Sequence, residues 1–543
     1  MSLQNLSYFL FLFLTAAVYL HLPKRAQTPL LLAASLLFYG LNLRASWQST
    51  EAQELAAGAS AQAAFYTAAF RCAVSAALVC FIVLFLWRRA RAIAAAQAEK
   101  RAKLVRGGIV LLLAVLAVFK YYNLSPLPTV FAGSVLEKLP FPLGISFFTF
   151  AAIGYLVDVG RGDCEAEPNL VNTAVFLLFF ATVTSGPICR GGALLPQLRA
   201  EHRFDETRTV RFLRLFAVGL FEKVAVADVL SLVADQVFNS KTMAGYGAPM
   251  LLTALVLYTF QLYFDFAGYS DMARATGLLL GIELPENFKT PFFATNFSGF
   301  WSRWHISLSS WLQDYLFMPL AWADVSKTPL LGRRLARKWE HFPVEFCVFC
   351  VFFLSGLWHG NTLPFVVWGL LQAVYRVGEE LMHRRFGKPK KKGAKPAELW
   401  GKRLAVFVLW AFSMVFFRVG SGPNTARASL ADCGVFFAGL LRGWSPVRFA
   451  GEFYAAVCAG FYNKPVMAAA WCGFAALTLC IGFYLDSQRA FRFRNKPVEQ
   501  VLAGQKPAVK WLLYYALVIC ILAGLIIQNG GFGGGASFAY AGF

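Results

Sequence analysis

Charge is what this sequence has least of. Of its 543 residues only 15% are Asp, Glu, Lys or Arg, against about 25% in an ordinary soluble domain. Acidic side chains are the scarcer sign, 29 against 51 basic, which leaves a formal net charge of +22. The signatures of several large enzyme classes are missing as well. There is no Walker A motif, no GxSxG and no HExxH, which removes the usual ATPase, serine-hydrolase and zincin chemistries. Cys347 and Cys350 form a single CxxC without a second pair or a histidine at zinc-finger spacing, so a metal site is not expected there. The run GGFGGG near the end lacks the lysine and the strand–helix setting of a phosphate cradle and reads as a flexible tether.

What the chain does have is long apolar stretches. Hydrophobic residues make up 58% of it, and the mean hydropathy is +0.55. Segments near the length needed to span a bilayer occur at about 6–22, 28–43, 67–87, 107–121, 141–157, 170–184, 212–235, 250–280, 343–357, 363–382, 402–418, 467–485 and 511–528. The expectation is an all-α polytopic membrane protein. In a soluble protein the positive charge would suggest nucleic acid. Here the Lys and Arg residues cluster between apolar segments, where they set topology and meet anionic lipid headgroups, so the bilayer is the expected partner and nucleic acid is not. Most of the eleven cysteines, such as Cys80, Cys480 and Cys520, sit inside apolar runs and read as small core residues.

The positive-inside rule gives an orientation. The basic loops 88–106, 383–403 and 489–496 go to the cytoplasm, as does 332–341. The first apolar run has no basic residue before it and Lys24–Arg25 after it, so it reads as a first span with its N-terminus outside. Parity then puts His359 near the outward turn between segments 343–357 and 363–382. It makes 419–466 an extracytoplasmic insert, 467–528 a pair of C-terminal spans, and 529–543 an extracytoplasmic tail. Parity fails between 107 and 212 unless one segment there, near TSGPICR, is re-entrant. Irregular backbone at membrane depth is tolerated only where protein buries it or a cavity is lined by it.

Two histidines stand apart from the other four, which flank segment ends beside basic residues and read as interfacial. His359 lies in SGLWHGNTLPFVVWGL, between two apolar runs. An ionisable group at such a place is a functional candidate by default, and an imidazole with an unperturbed pKa of about 6.5 suits a general base; simple packing is the equal alternative. His305 lies in NFSGFWSRWHISLSSWLQDYLFMPL. On a continuous helix Trp301, His305, Leu308, Leu312 and Tyr315 would form one stripe, as in an interfacial helix with His305 packed beneath it, or with a role on the cytoplasmic side, where the next connection lies. Asp265 and Asp271 in YFDFAGYSDMARATG need partners, and an ion pair with an arginine is expected over a polar path. The tail ends FAYAGF. Its Tyr540 either anchors at the interface or folds back into the mouth above His359, a reach that about fifteen extended residues, at most about 50 Å, would cover.

Taken together, FPLGISFFTFAAIGYLVDVGRG (141–162), TVTSGPICRGGALLPQL (182–198), GLFEKVAVADVL (219–230), the block around His305 and GLWHG resemble the membrane-bound O-acyltransferase family. The bacterial subgroup of alginate and peptidoglycan O-acetyltransferases and teichoic-acid D-alanyl transfer proteins is the most similar. The resemblance covers residues 1–418, the expected acyltransferase core. It implies a ring of transmembrane helices with re-entrant segments around a central tunnel. It implies that His359 is the catalytic base, that His305 lies nearer the donor side, and that Tyr540 matches a tyrosine proposed to carry the acyl group. It also implies no bound cofactor, an acyl thioester donor (acetyl-CoA or an acyl carrier protein), and an extracytoplasmic esterase-type partner. The acceptor would be a cell-wall polysaccharide or exopolysaccharide. A tail on the same chain favours acetyl transfer over D-alanyl transfer. An acyl or lipid transporter without covalent chemistry is the reading from another class.

Overall fold

The computed structural model describes residues 3–56, 58, 60–121, 142–238, 243–325, 340–387, 395–421, 429–459 and 465–529. Among them there are helices and turns and no sheet, only one isolated bridge between Asp324 and His341. Among the described residues, seven helices are long and apolar enough to cross a membrane: Lys24–Ala56, Ala61–Ala94, Ala98–Tyr121, Ala248–Leu280, Pro396–Gly420, Ala468–Arg492 and Pro507–Ile527. The protein is an all-α polytopic membrane protein. Leu6–His21, Val344–His359 and Leu430–Gly439 are shorter apolar helices.

The chain divides into two compact units. The first comprises Met1–Leu213 and Met272–Pro285. Within it Lys24–Ala56 packs on Ala61–Ala94 and on Leu170–Leu178, and Ile145–Arg161 packs on Ala61–Ala94 and Ala98–Tyr121. Ile145–Arg161 is buried over most of its circumference, as a helix apolar all round must be. Its start needs glycine: Gly144 has φ +73°, and a Cβ there would lie 1.8 Å from the Val183 carbonyl oxygen. The expected span 170–184 is not one helix. Leu170–Leu178 has nine residues, about 13 Å at 1.5 Å per residue, too short to cross. Residues 179–190 after it are non-helical, and nearly all of them are buried. This break falls at the TSGPICR stretch where parity failed.

The second unit comprises Arg214–Asp271 and Glu286–Phe543. Its core includes the end of Glu206–Leu220, a widened π turn at Phe221–Ala227 and the helix Asp228–Phe238. Pro507–Asn529 packs on the π turn, where Gly524 is required: a Cβ there would lie 2.5 Å from the Val224 carbonyl oxygen. Val344–His359 and Leu363–Phe386 form a close hairpin, and Pro396–Gly420 packs on the second of them. Leu430–Gly439 opens with a capping box between Ser429 and Asp432. It is followed by Pro446–Ala459, whose Glu452 accepts the Gly247 N–H at 3.0 Å.

Candidate functional site

The hairpin that carries His359 is shaped by small residues. A Cβ on Gly356 would lie 2.5 Å from the Phe365 carbonyl oxygen, and one on Gly369 would lie 2.4 Å from that of Phe352. The two helices therefore touch backbone to backbone one turn before His359, the last residue of Val344–His359. Gly360 continues in extended conformation against the Phe365 ring, which would meet a Cβ there at 2.3 Å. Thr362 and Pro364 then start Leu363–Phe386. His359 is left 4% exposed inside an aromatic shell. Its ring centroid lies 4.7 Å from Trp358, 4.8 Å from Trp368, 5.1 Å from Phe417 and 6.3 Å from Phe365.

His305 sits at a break, which corrects the expected continuous helix over 296–320. The chain forms a short helix Phe297–Trp301, turns, and resumes at Ile306–Leu312, with His305 between them in the left-handed region at φ 45°. A non-glycine residue there is strained by about 1–3 kcal/mol and persists only where its surroundings hold it. They do so through Asn287: its carbonyl accepts the Ile306 N–H at 2.9 Å, and its Oδ1 accepts the Ser307 N–H at 3.1 Å. Asn287 Nδ2 in turn donates to Ser270 Oγ at 3.1 Å. The i, i+4 stripe is lost because the left-handed residue rotates everything after it. Trp304 and Trp311 are buried and Trp301 is half-buried, so these tryptophans pack in the protein interior.

His305 is 1% exposed. Its ring lies 4.7 Å from Phe266 and 6.5 Å from Trp358. Trp358 thus neighbours both imidazoles. Asn296 caps the short helix by accepting the Gly299 N–H at 2.7 Å, and Glu379 of the His359 hairpin accepts the Ser298 N–H at 3.1 Å. A carboxylate at a helix N-terminus is favourably placed. It ties the His305 block to the His359 hairpin.

The same second unit holds buried charge that the sequence only half disclosed. Asp265 is paired, but with a lysine rather than an arginine. Lys223, on the π turn, lies 2.7 Å from Asp265 Oδ1 and 2.7 Å from Asp228 Oδ1. Tyr263 donates to Asp486 Oδ2 at 2.8 Å. Arg489 donates to the Phe288 carbonyl at 3.0 Å and the Lys496 carbonyl at 2.9 Å, and pairs with Glu286. The lone Lys223 in the apolar run GLFEKVAVADVL was the available signal for the first network, since a buried cation needs a counter-charge. The residues of the second are too far apart in sequence to announce each other.

Among the described residues no group of three His, Cys, Asp or Glu side chains comes together as a metal set. Tyr540 and its FAYAGF tail lie outside the described residues. His202, expected at an interface, is instead buried, with its Nδ1 2.8 Å from Tyr19 Oη.

The membrane-bound O-acyltransferase family matches this sequence over residues 165–419, which include both His305 and His359. The chain is 38% identical to a probable alginate O-acetylase of Pseudomonas putida over 268 residues, 47% of this chain and 51% of that protein. It is 35% identical to a peptidoglycan O-acetyltransferase of Helicobacter pylori, over 43% of this chain and 46% of that protein. It is 30% identical to a teichoic acid D-alanyltransferase of Streptococcus thermophilus, over 52% of this chain and 68% of that protein. The matched stretch thus spans about half the length of the alginate relative.

Proposed function

Because this chain belongs to the membrane-bound O-acyltransferase family, we propose that it is a membrane O-acyltransferase working towards an extracytoplasmic cell-envelope polysaccharide. The acyl group is acetyl and comes from a cytoplasmic thioester. The observation that carries this reading is the pair of deeply buried imidazoles, His305 and His359, set around one indole, Trp358. The buried and half-buried carboxylates described above are engaged, Asp228 and Asp265 by Lys223, Asp486 by Tyr263 and Glu286 by Arg489, so the imidazoles are the candidates to accept a proton from an alcohol.

In the proposed reaction the thioester reaches the core past His305. His359 takes the proton of the attacking hydroxyl as that oxygen adds to the thioester carbonyl. On collapse the carbon–sulfur bond breaks and the thiolate takes the proton back from His359. The hydroxyl is that of Tyr540, which holds the acyl group as an ester until an esterase-type partner passes it to sugar hydroxyls. A phenol with a pKa of about 10 is a poor nucleophile unaided, so it needs the neighbouring base. The likeness to alginate and peptidoglycan O-acetyltransferases supports acetyl. The D-alanyl alternative has its own support in the teichoic acid relative, which is matched over the larger share of its length.

Mass spectrometry of the C-terminal peptide, from protein purified out of its own membranes and treated or not with mild base, tests the proposal. The expected result is a base-labile adduct on Tyr540 of acetyl mass, absent from His359→Ala. An adduct of D-alanyl mass selects the alternative. A bare Tyr540 in protein supplied with donor but no acceptor would sink the shuttle. An unaltered transport activity in His359→Ala would favour a non-covalent transporter.

A further inference from the structure

The aromatic shell around His359 contains more hydrogen-bond donors than it uses. Trp368 and Trp410 are each 1% exposed, and neither indole N–H has an acceptor among the described residues. The half-buried Trp301 also leaves its N–H without an acceptor. These three rings form one cluster, with centroids 5.8 to 6.4 Å apart. Membrane interiors supply no water to satisfy such groups, and native proteins leave few of them orphaned. Several in one cluster, against a buried imidazole, need a common partner.

That partner must accept hydrogen bonds and must enter the shell next to His359. Trp368 is the donor in direct contact with that ring, at 4.8 Å between centroids with the planes at 86°. The geometry points to Trp368, backed by Trp410, as the donor that holds the carbonyl oxygen of the acyl thioester at His359. This rests on the acyl-transfer reading above and adds a residue to it. As the hydroxyl oxygen adds to the carbonyl carbon, its proton passes to His359 and the carbonyl π pair moves onto oxygen. The resulting oxyanion receives the indole N–H. When the pair returns, the carbon–sulfur bond breaks and the thiolate takes the proton from His359. A fixed donor aimed at developing charge in a dry site favours the transition state over the ground state.

The test replaces Trp368 in the full-length protein with benzothienylalanine, which keeps the shape of indole and puts sulfur in place of N–H. Trp368→Phe is made alongside. In proteoliposomes given acetyl-CoA, release of free thiol is followed through a single turnover. The isostere is expected to lower the rate about 10²- to 10³-fold, with the donor concentration for half-maximal rate nearly unchanged. A merely structural role would be spared by an isostere. Thiol release at the wild-type rate in the isostere, with release abolished in His359→Ala, overturns the inference alone. The indole N–H groups would then be satisfied by neighbouring aromatic faces. Undiminished release in His359→Ala would instead remove His359 as the base of the proposed reaction, and this inference with it.

Discussion

The Trp358 indole lies 6.5 Å from the His305 ring, centroid to centroid, and 4.7 Å from the ring of its chain neighbour His359. One buried side chain thereby fixes the positions of both imidazoles relative to each other. Trp358→Ala would leave a cavity between them and should cost about 3–5 kcal/mol of stability, the usual range for a buried Trp truncation. Trp358→Phe keeps most of the volume and should cost much less. Activity should fall further than stability does, because the two rings lose their common support. Unfolding in detergent beside thiol release measures both, and equal activity in the two variants would contradict this arrangement.

The Gly356–Gly369 crossing yields a second expectation. A methyl at either position meets backbone rather than a movable side chain. Gly369→Ala should therefore push the hairpin helices apart, at about 1–3 kcal/mol for an overpacked contact, and shift His359 one turn away. A drop in transfer of at least about tenfold is expected, whereas Gly378→Ala on the same helix, where a Cβ meets nothing within 4 Å, should be silent. Comparable activity of the two variants would show that the crossing does not place His359.

Lys223 holds two carboxylates, Asp228 and Asp265, in a setting where all three are nearly inaccessible. Removing the cation leaves two like charges facing each other, and breaking a buried pair this way costs about 3–5 kcal/mol. Lys223→Met should accordingly fail to accumulate or melt far below wild type. Adding Asp228→Asn and Asp265→Asn to Lys223→Met should recover part of the loss, since no uncompensated charge then remains. If the triple variant melts below Lys223→Met, the loss arises from packing rather than charge.

The apolar spans and the all-α class were legible because a membrane helix must be apolar over its whole length, a signal that needs no partner. The interruption at TSGPICR was visible only as a parity failure. The break at His305 was not visible at all. Aromatic residues continue at helical spacing through it, and what holds the left-handed turn is Asn287, from a different segment. For Asp265 the need for an ion pair was legible but not its partner Lys223, and the Arg489 contacts escaped because they join residues far apart in sequence. His202 misled because basic neighbours suggested a surface, whereas Tyr19 and Gln27 enclose it.

His202 supplies a pH dependence. Burial, reinforced by the nearby Arg208 guanidinium, holds its imidazole below the usual value. The unfolded chain therefore binds a proton more readily than the folded one. The contribution to stability is complete above the ordinary imidazole pKa of about 6.5 and is lost as the pH falls through that value towards the lowered one. Thermal unfolding in detergent should show a midpoint that declines as the pH falls below about 6.5. His202→Gln should flatten that decline; an identical slope in the variant would assign it to other groups.

Arg489 ties a C-terminal residue to the candidate site. It lies beyond the family match at 165–419, yet it holds the Phe288 carbonyl and pairs with Glu286, the residues on either side of Asn287. Asn287 is what caps the helix after His305. Arg489→Lys retains the charge but loses the planar fork that reaches a carboxylate and two carbonyls together. The strained turn at His305 should then relax, since Arg489 is the side chain that bonds the Phe288 carbonyl and pairs with Glu286 at once. Transfer should drop at least about tenfold while the protein still folds and purifies. The measurement is thiol release beside a cysteine-accessibility readout at Ser302→Cys, an exposed position in the turn before His305. Faster labelling together with slower transfer supports a C-terminal brace on His305. Unchanged labelling with unchanged transfer would show that Asn287 holds the turn without it.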